Sequence, residues 1–247
     1  MRTKALAILT LVFSLLVALP AHGFPETTSI AEGAAKGAVP APDRSGDDRE
    51  RVELAGWALA TMWKLVPQKA PWSDTFASSA VTLTDVALDV AKHDPLFPRS
   101  KTKLDSARRT LALLLAIGYF ESTFKPNAEG DCFTKTGERS VSVSGKCKDG
   151  SSARSVCMFQ LGTSNLGDLG VTTQAIQNDL RLCAESAIKM IRISFGVCRG
   201  RPDDDGLAHY AAGGTSCGGP AGEGVMLSRH RMAKAKQIYS RGVTYTN

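Results

Sequence analysis

The chain has 247 residues, 43% of them hydrophobic, enough to bury a sizeable core, which excludes a disordered chain and a miniprotein held by disulfides alone. Thirty Lys and Arg against 24 Asp and Glu give a net charge of +6, which is only mildly basic. Aromatic residues make up 6%, too few for a surface that stacks on bases, so no nucleic-acid partner is expected.

At the start, Arg2 and Lys4 precede an apolar run from Ala5 to Leu19, followed by Pro20 and Ala21-His22-Gly23. Small residues at 21 and 23 complete the pattern of a secretory signal peptide over residues 1–23. The run is about 15 residues where a spanning helix needs about 20, and no later segment is apolar enough, so no membrane span is expected after cleavage. No Cys follows the cut, which argues against a lipid-anchored form. The expected location is secreted or periplasmic.

Residues 24–48 are rich in Ala, Gly, Pro and Asp without apolar periodicity and read as a flexible linker. Over residues 49–97, Val52, Ala55, Leu59, Met62 and Val66, then Phe76, Ala80, Leu83, Ala87 and Val90, recur at helical spacing and predict two helices forming an N-terminal arm. Pro95 and Pro98 break that pattern. A third helix follows, with Ser100 as the expected cap, and its second half, Leu111 to Phe120, carries no charge and must be buried all round. That run leads straight into Glu121. Burial and the partial negative charge of a helix C-terminus both raise a carboxyl's proton affinity there, which suits a general acid.

Residues 125–156 predict loops and a small hairpin around Val141 and Val143. Helices are expected again over about 156–166, 173–196, 203–212 and 223–241. The expected class is mainly α with a small β-hairpin insertion.

Six cysteines, Cys132, Cys147, Cys157, Cys183, Cys198 and Cys217, read as three disulfides in an exported chain. If Cys183 and Cys198 share one helix they stand about 22 Å apart and cannot bond each other. The pairing hypothesis is Cys132–Cys147, Cys157–Cys183 and Cys198–Cys217. There is no C-x-x-C or H-E-x-x-H, so neither metal nor other cofactor is expected.

Glu121-Ser122-Thr123-Phe124-Lys125-Pro126-Asn127-Ala128 closely resembles the E-S-x-F-x-P-x-A signature of soluble lytic transglycosylases, relatives of goose-type lysozyme. Met158-Phe159-Gln160-Leu161 resembles the family's L-M-Q-I segment, and Tyr210-Ala211-Ala212-Gly213 its Y-N-A-G. The resemblance covers roughly residues 98–247. It implies a lysozyme-like (SLT) domain that binds peptidoglycan glycan strands and cleaves the β-1,4 bond between N-acetylmuramic acid and N-acetylglucosamine. Glu121 then looks like the sole catalytic acid and base, with Ser122, Phe159, Gln160 and Tyr210 as substrate-binding residues. In bland terms, Gln160 is an amide capping a loop, Tyr210 a core tyrosine bonded to a carbonyl, Ser122 a polar helix-end serine and Phe159 a core phenylalanine. The family's glycine before L-M-Q is Cys157 here, and its Y-N-A-G asparagine is Ala211.

A single carboxylate suffices for a transglycosylase, because the muramic acid's own 6-hydroxyl attacks and closes a 1,6-anhydro ring. An inverting muramidase needs a second carboxylate, for which Asp131, Glu138 and Asp149 are candidates. The third alternative is a glycan-binding module without catalysis. Gly214-Thr215-Ser216-Cys217-Gly218 fits G-x-S-x-G, followed by Glu223 and His230, but lacks the strand a nucleophile elbow requires. Arg229, Arg231, Lys234 and Lys236 scatter around the last helix and read as solvated. The oligomeric state is not legible.

Overall fold

The computed structural model describes residues 45–67, 73–143, 145–148, 150–213, 217 and 222–241. The expected signal peptide and most of the expected linker lie outside the described residues.

Among the described residues there are seven α-helices: α1 (Ser45–Leu65), α2 (Ser73–His93), α3 (Lys103–Ser122), α4 (Thr173–Asn178), α5 (Leu180–Val197), α6 (Ala208–Ala211) and α7 (Glu223–Ser240). Five short strands lie between α3 and α4: β1 (Glu129–Thr134), β2 (Ser142–Val143), β3 (Lys146–Cys147), β4 (Ser151–Val156) and β5 (Leu161–Gly162). They form an antiparallel sheet of order β1-β4-β5 and a two-stranded β2-β3 ribbon. The fold is mainly helical with a small β excursion.

The uncharged run makes α3 the axle of the molecule. Leu111, Leu113, Leu114, Leu115 and Ile117 are each 0–1% exposed, worth about 1.5–3 kcal/mol apiece in buried apolar surface. A helix apolar on every side needs cover on every side, and α1, α2 and α7 provide it. Leu54, Trp57 and Met62 of α1 and Phe76, Leu83 and Val86 of α2 join that same core. The N-terminal arm therefore packs directly on the helix that ends in Glu121.

The helix begins at Thr102 and not at the expected Ser100. Thr102 Oγ1 accepts the Asp105 N–H at 3.0 Å, whereas the buried Ser100 hydroxyl has no partner.

Residues 156–166 are not the expected helix. The chain finishes β4, turns at 157–160, pairs as β5 and makes one 3₁₀ turn at Thr163–Asn165. Cys157 and Gln160 hold φ of 64° and 49°, left-handed values that no right-handed helix contains. The expected helix over 173–196 is divided at Asp179, whose extended backbone lets its carboxylate cap α5 by accepting the Leu182 N–H at 3.0 Å. The 203–212 stretch resolves into a 3₁₀ turn at Asp203–Asp205 and α6.

All three disulfides pair as hypothesised: Cys132–Cys147, Cys157–Cys183 and Cys198–Cys217, with Cα separations of 5.5, 6.3 and 5.5 Å. The first staples β1 to β3, the second ties the 157–160 turn to α5, and the third joins the end of α5 to the segment after α6. No helix among the described residues is long and apolar enough to cross a membrane.

Phe124 closes the C-terminal end of the axle, wholly buried and edge-on to Phe76 at 5.8 Å. Phe124→Ala should lower the unfolding free energy by about 3–5 kcal/mol in urea titrations, through lost burial and the cavity left behind. A loss under about 1 kcal/mol would show that this plug does not hold the helix end.

Candidate active site

The end of α3 is shaped by two consecutive residues in the left-handed region, Thr123 at φ 52° and Phe124 at φ 63°. They fold the chain back so that the Phe124 N–H reaches the Gly118 carbonyl at 3.1 Å and the Thr123 N–H reaches Tyr119 at 3.2 Å. Gly118 matters here, because a Cβ on it would stand 3.2–3.3 Å from Met158 and the Phe124 ring. Ser122 completes the turn: its hydroxyl donates to the Gly118 carbonyl at 3.3 Å and accepts the Lys125 N–H at 3.1 Å. Serine is thus spent on the local backbone, as a helix-end serine would be.

Glu121 leaves this turn towards α7. Its side chain is 17% exposed, and Arg231, 8% exposed, donates to Oε1 through both Nε, at 2.9 Å, and Nη2. The guanidinium and one carboxylate oxygen therefore form a pair largely out of water. Burial raises the Glu121 carboxyl above the ordinary glutamate range; the charge and hydrogen bonds of Arg231 oppose this, and the Asp131 carboxylate adds to it. The upward push prevails.

Arg231 was not legible as a partner, since the four cations of α7 read as a solvated set. Arg229 instead chelates the buried Asp205 at 2.7 and 3.2 Å, Lys236 meets Asp204 at 2.6 Å, and Lys234 lies 5.7 Å over the Tyr119 ring. The signal that could have found Arg231 is the buried stripe Gly224, Ser228, Arg231, Ala235 and Ile238, spaced 4-3-4-3 along α7, which passes through the arginine.

Tyr210 arrives on α6. Ser194 of α5 locks that short helix by accepting the Tyr210 N–H at 3.0 Å while donating to the Gly206 carbonyl at 2.8 Å. The phenol donates to the Phe159 carbonyl at 2.5 Å. Burial holds it well above the ordinary tyrosine range; the neighbouring Glu121 charge pushes the same way and Arg231 opposes.

The 157–160 turn carries the remaining residues. Cys157 replaces the glycine of the resembled pattern yet keeps a left-handed φ of 64°, held by its bond to Cys183. Phe159 is 0% exposed, so its ring faces the core and its carbonyl serves the site. Gln160 Nε2 donates to the Cys157 carbonyl at 2.9 Å, which fixes the amide orientation and leaves Oε1 to accept from Ser155 Oγ at 2.8 Å. One N–H and one lone pair of that amide remain for a ligand. Ser155 Oγ also lies 3.2 Å from Asp131 Oδ2, so its single proton serves one acceptor at a time.

The structure thus connects all three quoted segments. Met158 packs against Gly118 on α3, the Phe159 carbonyl accepts the Tyr210 hydroxyl's hydrogen bond, and Tyr210 lies within electrostatic reach of Glu121. Asp131 joins them from β1. Glu138 is exposed on the hairpin, and Asp149 lies outside the described residues, as does Ser216. Helix α6 rather than a strand precedes the G-x-S-x-G segment, and its Cys217 is disulfide-bonded. No group of three or more metal-ligating side chains occurs among the described residues. Comparison of the chain with protein-family models, with curated proteins and with solved structures found no match.

Because the folded state binds the Glu121 proton more tightly than the unfolded chain does, its contribution favours folding below the ordinary glutamate pKa and fades as pH rises through the folded value. Carboxyl-detected NMR should place the Glu121 midpoint above the unfolded-chain glutamate value, and Arg231→Met should move it higher still. A midpoint that falls, or ignores Arg231, contradicts this electrostatic account. Independently, a Cβ at Gly130 would stand 1.8 Å from Gln160 Oε1. Gly130→Ala should expel the amide from Ser155 and lower the unfolding free energy by about 0.5–1.5 kcal/mol in urea titrations, the loss of one hydrogen bond; unchanged stability would show that Ser155 does not hold the amide.

Proposed function

We propose that the protein is a peptidoglycan lytic transglycosylase with a lysozyme-like catalytic domain, acting outside the cytoplasm, secreted or periplasmic. The observation that carries the reading is the Glu121 carboxyl, held at the end of a buried helix where desolvation raises its proton affinity despite an arginine beside it. A surface carboxylate would have no such bias. The second support is the convergence of the Glu121 turn, the 157–160 turn and Tyr210, three segments far apart in the chain. Three disulfides suit an oxidising compartment.

In this mechanism the protonated Glu121 donates to the glycosidic oxygen as the bond to the muramic acid anomeric carbon breaks. The resulting carboxylate then takes the proton of the 6-hydroxyl, whose oxygen bonds to that carbon and closes the 1,6-anhydro ring. No water is consumed, and the acid ends protonated, as it began. In this reading Gln160 uses its remaining N–H and lone pair to orient an N-acetyl group or hydroxyl of the substrate.

One observation favours hydrolysis as a second reading. Asp131 is near enough for its charge to raise the Glu121 carboxyl, and a second carboxylate is what a muramidase needs to activate water.

Mass spectrometry of digested sacculi separates the two. The transglycosylase reading expects products ending in a 1,6-anhydro ring, lighter by one water than reducing ends, and a drop of about 10²–10⁴-fold in release for Glu121→Gln. Reducing ends, lost in Asp131→Asn, would establish the muramidase instead. Undiminished release from Glu121→Gln would remove Glu121 from the chemistry altogether.

A further inference from the structure

Burial raises the proton affinity of Glu121, but the charge and hydrogen bonds of Arg231 work against that bias, so a general acid tied to this arginine holds its proton less firmly than burial alone would allow. Arg231 Nε and Nη2 both end on Oε1, Nη1 donates to no described residue, and Oε2 accepts from none. The pair is end-on, with donors and an acceptor to spare. Glu121 is also the more exposed partner, at 17% against 8%, so a ligand arriving from solvent meets the carboxylate first and reaches the guanidinium when that carboxylate turns aside.

We propose that Arg231 is the binding group for a carboxylate carried by the glycan substrate, and that binding exchanges Glu121 for this carboxylate. The inference rests on the cell-wall reading above, in which the anion is the lactyl carboxylate of an N-acetylmuramic acid residue freed of its stem peptide, since the amide bond to that peptide removes the charge. The exchange balances in charge. Before binding, one guanidinium faces one carboxylate; afterwards the same guanidinium faces the ligand's carboxylate, and Glu121 has taken one proton from solvent.

Each change acts on Glu121 in the same direction. It loses the two hydrogen bonds and the nearby positive charge of Arg231, and gains a negative neighbour. Among the described residues, the other titratable groups within electrostatic reach are Asp131 from β1, which also favours the protonated acid, and the Tyr210 phenol from α6. Lys234, one turn along α7, is occupied with Gln237 and the Tyr119 ring. An uncharged glycan of the same length leaves the pair closed. The substrate thus arms its own acid, and the site discriminates acidic from neutral amino-sugar chains by activating only on the former.

The test uses the full chain without its leader and two probes: the peptide-free tetrasaccharide of alternating N-acetylglucosamine and N-acetylmuramic acid, and chitotetraose, which lacks carboxylates. In the non-cleaving Glu121→Gln protein, where Arg231 has no competing anion, calorimetry should show at least about tenfold tighter binding of the muramyl probe, the scale of one charge-assisted pair. Adding Arg231→Met should abolish that preference. Adding Arg231→Lys should retain part of it, and serves as the comparison if the Met variant fails to fold. In the wild type, measured before turnover in two buffers of different ionisation enthalpy, the muramyl probe should take up close to one proton and chitotetraose none. Equal binding of the two probes by Glu121→Gln, a preference indifferent to residue 231, or equal proton uptake would each overturn the exchange. Sacculi left intact by the wild type, alongside an Arg231-dependent preference, would remove the transglycosylase reading and leave the anion site standing. Cleaved sacculi without that preference would do the reverse.

Discussion

A carboxylate and a guanidinium, both mostly withdrawn from water, meet where α3 ends against α7. Removing charge from solvent costs several kcal/mol per ion, so such a pair persists only where geometry and packing hold both partners in place. Much of the molecule can be read as the means of holding them. The apolar axle of α3 fixes the height of Glu121, and the packing of α7 along it brings Arg231 to the same level. The left-handed pair Thr123 and Phe124 ends the helix just after Glu121 and folds the chain back onto its last turn.

The motif residues serve architecture and site together. Ser122 spends its hydroxyl on the turn, Phe159 gives its ring to the core, and Tyr210 donates its hydroxyl hydrogen bond to the Phe159 carbonyl. These are the bland roles such residues fill in any fold. Gln160 is the exception: its amide is anchored on both atoms yet keeps one donor and one acceptor in reserve. Cys157 bears a side chain in a backbone conformation natural to glycine, and its bond to Cys183 ties that turn to α5.

What the sequence made legible follows from what periodicity can carry. Helices α1, α2 and α3 announce themselves through apolar spacing or an uncharged run. One helix separating Cys183 from Cys198 excluded only their own pairing, and the full set of pairs stood as a hypothesis until the structure showed it. The 157–160 turn was illegible because Val156 to Phe159 is an unbroken apolar run that suits either state, and only backbone angles at Cys157 and Gln160 distinguish a turn from a helix. Asp179 broke a helix by capping the next one, a local hydrogen bond that propensity sums do not register. Arg231 was hidden by its neighbours: four cations in eight residues look solvated until the buried stripe is traced through one of them.

The most direct measurement of this constraint is a double-mutant cycle on stability with Glu121→Gln, Arg231→Met and the two combined, followed by urea unfolding. Each single change strands a polar or charged group in a dry place, whereas the pair of changes removes both. The account predicts that the double variant loses less than the two single losses added together, by about 1–3 kcal/mol. Losses that simply add would mean that the two side chains do not depend on each other.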